Sequence, residues 1–281
     1  MRRRYSSSIV LAMTTATAVG VLLLASTPTA GQAQTGYKTP RTADGKPNVN
    51  GFWQAVNTAN WDIEGHGAQP SPFQNLVGVY LAEPAGLGVV EGAIPYKPEA
   101  LAKKKQNFET RLEADPFNRD IGDPEAKCYM AGVPRATYMP FPFQIIQSTT
   151  KILIAYEYAG TTRIIHLDKV EPAPIDSWMG QSVGRWDGDT LVVDVTALNG
   201  KSWLDRAGNF LSDTAHVVER YTPTGPDHLM YEATIEDPSV FTRPWKMSMP
   251  LYRRVDKGIQ LLEFKCVEFS EAFLYGTLRK K

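Results

Sequence analysis

The feature that most constrains this chain is a rhythm that begins at Phe143. Short β-branched and aromatic runs follow one another there. They cover 143–148, 151–158, 162–167, 183–195, 216–221, 228–235, 245–253 and 258–267, with the run at 183–195 folding back on itself. Polar or Gly-containing breaks such as Thr149-Thr150 and Ala159-Gly160 separate them. Short strands at this spacing, with turn signals between them, predict an antiparallel meander. Eight or nine such strands leave two exposed edges unless the sheet closes, so the expected fold is mainly β, a lipocalin-like barrel.

One stretch tests that reading. Gly180-Gln-Ser-Val-Gly184 matches G-x-S-x-G, the nucleophile elbow of serine hydrolases. An elbow needs a buried strand before the serine and a helix directly after it, whose N-terminus helps supply the oxyanion hole. Here Pro174-Ile-Asp-Ser-Trp-Met precedes Ser182, and Asp187-Gly188 separates two β-prone runs behind it. Asp-Gly in that setting signals a hairpin with a type I′ turn. A hairpin offers no helix amides, so Ser182 is expected to be structural.

Ahead of Phe143 the chain has other characters. Residues 1–33 carry Arg2-Arg3-Arg4, an apolar stretch over 9–26, and a small-x-small ending at Gly31-Gln32-Ala33. That is the pattern of a secretory signal cleaved after Ala33, too short and too rich in Thr and Ala for a lasting membrane span. Periplasmic or secreted placement is therefore expected. Residues 34–142 are rich in Gly, Pro and Asn and read as an irregular wrap. It is interrupted by a helix at about 98–114, where Leu101, Phe108 and Leu112 share a stripe. The barrel domain is expected over 143–281.

Export changes how the two cysteines read. In an oxidising compartment Cys128 and Cys266 are expected to pair, closing a long loop for ~4 kcal/mol on the chain-entropy model. Two cysteines without a histidine cluster make no zinc site, and no metal or other cofactor is expected. The 30 acidic and 30 basic residues balance, which gives nucleic-acid binding little support.

Candidate functional residues can be weighed singly. On a strand, His216 shares a face with Val218 and Arg220, and Glu219 lies on the other, so His216 and Glu219 cannot chelate one metal. If the His216 face looks into the barrel, His216 and Arg220 could hold or polarise an anionic or carbonyl ligand; otherwise His216 is a rim histidine. Asp213 could orient its imidazole, and Arg185 or Arg220 could stabilise developing negative charge. His166 and Asp168 are expected on the wet face of their strand, opposite Ile165 and Leu167. Trp186, Trp203, Arg206, Tyr231, Arg243 and Trp245 are the candidate ligand-binding residues, because aromatics beside arginines in loop-like sequence suit a barrel mouth.

Several blocks resemble a widespread family of exported bacterial proteins for which no activity is established. They are Thr39–Asn48 with Gly51-Phe-Trp53, Gly132–Arg135 after Cys128, Gly184–Asp194, Ser212–Tyr221, and Thr234–Pro238 with Phe241–Trp245. The resemblance runs through nearly all of the chain after the leader, departs at Ala197-Leu198, and implies export but no catalytic residues. Three functions remain open: a barrel binding a small, partly apolar organic molecule at its mouth; a cofactor-free lyase, isomerase or hydrolase using the same pocket; and a structural or partner-binding envelope protein.

Overall fold

A computed structural model describes residues 36–70, 82–112 and 121–266; the expected signal segment lies outside them. Nine strands form one closed barrel: β1 (Gly51–Ala55), β2 (Phe143–Gln147), β3 (Lys151–Tyr156), β4 (Thr162–His166), β5 (Gln181–Asp187), β6 (Thr190–Thr196), β7 (His216–Gly225), β8 (His228–Glu236) and β9 (Trp245–Arg253).

Two corrections to the expected meander follow from register. The strand that closes the barrel is β1, from the irregular segment: Trp53 stands opposite Phe143 of β2 and Arg253 of β9. The run at 258–267 is not that strand. Residues 258–266 have no strand structure, because β1 already occupies the free edge of β9. The barrel is also not wholly antiparallel, since Ile165 of β4 pairs in parallel with Ser182 of β5. The connection at 167–180 contains Pro172 and Pro174, which cannot donate to a ladder, so the chain crosses back before re-entering the sheet.

The β5–β6 hairpin confirms that Ser182 sits on no elbow. Its register runs from Gln181↔Thr196 to Asp187↔Thr190, which makes Gly188-Asp189 the two-residue loop. Of these two only Gly188 has a positive φ, +61°, so the loop has glycine first, as a type II′ turn requires, rather than the type I′ expected from Asp187-Gly188.

Alternation then sorts the side chains. Trp53, Phe143, Ile145, Ile152, Ile154, Ile165, Leu191, Val193, Val195, Val217, Leu229, Ile235, Met247 and Leu251 point inward and are buried. A barrel of about eight strands encloses room that side chains can fill or that can hold one small ligand. One end of this lumen is stoppered by α2 (Arg135–Tyr138), a short helix buried at all four residues. The Tyr138 hydroxyl donates to the Leu204 carbonyl at 2.8 Å, fixing the stopper to the β6–β7 connection.

The longer helix, α1 (Pro98–Thr110), lies over that connection, but not by the expected stripe. Leu101 and Phe108 are exposed, and α1 buries Ala100 and Asn107 instead. The Asn107 amide donates to the Gly208 carbonyl at 3.1 Å. Gly208, at φ +87°, lies so close that a Cβ there would come 2.8 Å from the Lys104 carbonyl oxygen and the Phe108 nitrogen. The Cys128–Cys266 disulfide is present, with Cα atoms 5.6 Å apart. It ties the chain after β9 to the stoppered end, where Phe264 packs on Tyr158 and Phe141 at ring distances of 4.9 and 5.2 Å.

Candidate functional site

The face of β7 that carries His216 looks outward. Val217, Glu219 and Tyr221 enter the lumen, while His216, Val218 and Arg220 stand on the outer wall. There His216 Nε2 lies 3.3 Å from Asp194 and Nδ1 lies 3.7 Å from Glu236. Arg185 also reaches Asp194, at 2.5 Å, and Arg220 pairs with Asp187 at 3.0 Å. The structure thus brings His216 and Arg185 together through Asp194 on the open surface of the barrel. Asp213, on an exposed turn, is not the imidazole's partner. Of the two readings left open, the inward His216–Arg220 pair is the one the register excludes; alternation fixes which residues share a face but not which face is buried.

What β7 turns inward is a carboxylate. Glu219, wholly buried, accepts from the Arg163 guanidinium of β4 and from the hydroxyls of Tyr231 (2.8 Å) and Tyr221 (3.1 Å). Arg163 Nε donates to Ser182 Oγ at 2.8 Å, which gives that serine its role. Thr137 of α2 completes the cluster, 3.4 Å from the Tyr221 hydroxyl. Burial disfavours the charged guanidinium of Arg163, but Glu219 more than offsets it and raises its pKa well above the usual value. Burial, reinforced by Glu219, raises the phenols of Tyr221 and Tyr231 well above theirs. This cluster fixes the lumen; sealed under α2, it presents no open face to a ligand.

A second polar layer lies beyond the stopper. Arg135, buried with its whole helix, forks onto Asp123 at 2.8 and 2.9 Å and reaches Glu125 and Asn60. Arg206 grips Glu125 at 2.7 and 2.8 Å and stacks over Trp61 at 4.3 Å. Burial would raise the Glu125 carboxyl, yet Arg206 and Arg135 bring it down to about 2. Asp205, fully buried, behaves oppositely. Burial and then nearby Asp62 push it up to about 7, against hydrogen bonds from the Ile63 and Asn209 amides.

Open space is found outside the lumen, at the stoppered end. A cleft of about 340 Å3 is lined by Lys103 and Asn107 of α1, Gly122, Pro124 and Tyr129 ahead of the stopper, Trp178 at the entry to β5, and Gly200, Lys201, Trp203 and Phe210 of the β6–β7 connection. Tyr129 and Trp178, both in the lining, stack on each other at 5.2 Å with 15° between their planes. The site is held from behind. Gly132, at φ +73°, brings the segment between Tyr129 and the stopper against Ser202 and the Trp178 carbonyl, where a Cβ would collide. Phe210 is backed by Tyr96 at 6.3 Å, and the Tyr96 hydroxyl donates to Asn209 at 2.8 Å. Among the described residues no cluster of three His, Cys, Asp or Glu could hold a metal ion.

Of the ligand-binding residues expected from sequence, only Trp203 lines this cleft. Tyr231 is in the luminal cluster, Arg206 braces Glu125, and Trp245 is buried edge-on to Phe241 at 5.4 Å. Trp186 lies on the inward face of β5 towards the barrel's other end, and Arg243 is exposed, bonded to the Pro244 carbonyl. Tyr129, Phe210, Lys103 and Lys201 were missed. They come from three separate segments, and nothing local in the sequence signals their convergence. Comparison with known protein families, with curated proteins and with solved structures finds no match.

Proposed function

We propose that this is an exported β-barrel protein that binds a small, partly apolar organic molecule in the aromatic cleft at the stoppered mouth. The observation that carries the reading is the cleft itself. It has a ligand-sized volume, an aromatic wall, and a backing that is fixed before any ligand arrives. Pre-formed aromatic walls give contact area without an ordering cost at binding. The disulfide fits an oxidising compartment, and no helix among the described residues is long and apolar enough to cross a membrane. For the catalytic alternative, the cleft's described lining residues offer no His, Asp or Glu.

Native mass spectrometry of the protein purified from its own compartment tests this reading. A co-purifying compound of a few hundred daltons is expected with the wild type and absent with Trp178→Ala. A compound retained equally by that variant, or a wild type that carries none and binds no member of an aromatic library, defeats the assignment.

A further inference from the structure

The cleft's charge pattern says more about its occupant than its shape does. Resting on the cleft reading above, we infer that the ligand is a planar aromatic anion, whose ring lies against Tyr129–Trp178 and whose acid group meets Lys103 and Lys201. The ring follows from geometry. Tyr129 and Trp178 form a nearly parallel stack, 15° between planes, and a flat partner can extend such a stack on an outer face in an offset arrangement. Gly122 and Gly200 contribute no side chains to the lining. Gly200, at φ +67°, could not carry one without striking the Asp213 backbone at 2.6 Å.

The sign of the charge follows from what each cation faces. Most charged groups of this end are already matched: Arg135 with Asp123 and Glu125, Arg206 with Glu125, and Lys104 with Glu64. Lys103 and Lys201 form no ion pair with a described residue, and no described lining residue is acidic. Lys103 and Lys201 therefore line one concavity together with Asn107 and four aromatic residues. Aromatic walls alone would also suit an organic cation, through attraction to the ring faces. Two lysines in the same cleft oppose that ligand while favouring an acid, so they select by repulsion as well as by attraction.

The experiment is isothermal titration of the full mature chain with four matched probes: 2-naphthoate, 2-naphthamide, decahydro-2-naphthoate and 2-naphthylmethylammonium. They would be run at low and high salt on the wild type, on Lys103→Met/Lys201→Met and on Trp178→Ala, with circular dichroism confirming that each variant is folded. Naphthoate should bind about tenfold or more tighter than the amide, a difference of about 1.4 kcal/mol, and the gap should narrow as salt rises. It should also bind about tenfold tighter than the saturated acid, and the cation should bind least. The double lysine variant should hold naphthoate and naphthamide equally. Amide and acid binding alike to the wild type would overturn the charge assignment while leaving the cleft reading intact. So would an acid preference that survives loss of both lysines. Equal binding of aromatic and saturated acids, unaffected by Trp178→Ala, would overturn the ring assignment. Failure of all four probes would overturn the inference, and native mass spectrometry showing no bound compound would then remove the cleft reading as well.

Discussion

Replacing Arg163 with methionine should be among the most damaging single changes in the barrel. The guanidinium makes two interactions, with Glu219 and with Ser182, and both partners are buried. Methionine fills a similar volume, so the loss is electrostatic rather than a cavity. It strands the Glu219 carboxylate with only the hydroxyls of Tyr221 and Tyr231 for compensation. Removing one partner of a buried ion pair costs about 3–5 kcal/mol. For a domain of this size each kcal/mol moves Tm by about 2–4 °C, so a fall of ~6–20 °C is expected at neutral pH. The companion variant Arg163→Met/Glu219→Gln removes both charges and keeps a carbonyl oxygen to accept from the two phenols. It should recover most of the loss, because the unpaired charge and not the missing hydrogen bond dominates the cost. Calorimetric or circular-dichroism melts of the three proteins measure this. A single variant within 1 °C of wild type, or a double variant no more stable than the single one, would refute the assignment of Arg163–Glu219 as a mutually dependent pair in the lumen.

Two further predictions concern the stoppered end and its strap. Asp205 titrates near 7 when folded, above its ordinary value of 3.8, so its contribution to stability is present in acid and is lost as pH rises through 7. Asp205→Asn should therefore gain on wild type as pH rises from 4 to 7, by up to about 1.4 kcal/mol per pH unit, in paired melts across that range; a difference independent of pH would count against the buried, proton-bearing carboxyl. For the disulfide, thiol counting under denaturing, non-reducing conditions should find no free cysteine, and reduction should destabilise the protein by ~4 kcal/mol in urea titrations. Two reactive thiols, or an unchanged transition midpoint, would contradict the strap between Cys128 and Cys266.

Much of the architecture is legible in local chemistry. Two-residue alternation and tight turns give the strands from β2 to β9, and Gly188 gives the hairpin that places Ser182 on a strand and not on a nucleophile elbow. Alternation also places Ile165 in the core and His166 on the opposite, less buried face, as expected. The cysteine pairing expected from an even count and an export signal is present. These features depend on neighbours in sequence, or on an inventory of only two cysteines.

What the chain text leaves open is whatever depends on partners far along the chain. Period-two alternation on β7 is satisfied equally with His216 or with Glu219 inside; the choice falls to Arg163, which meets Glu219 only once β4 and β7 face each other across the lumen. β1 looks like part of a loop until β9 and β2 offer it two ladders. The parallel β4–β5 step comes from a proline-bearing crossover whose route is set by the sheet it rejoins. The cleft exists because α1, the segment before the stopper, the entry to β5 and the β6–β7 connection converge at one end, each bringing one or two side chains of no local distinction. Sequence sets which face a residue shares and with whom; closure of the barrel sets which face is inside and what meets across the gap.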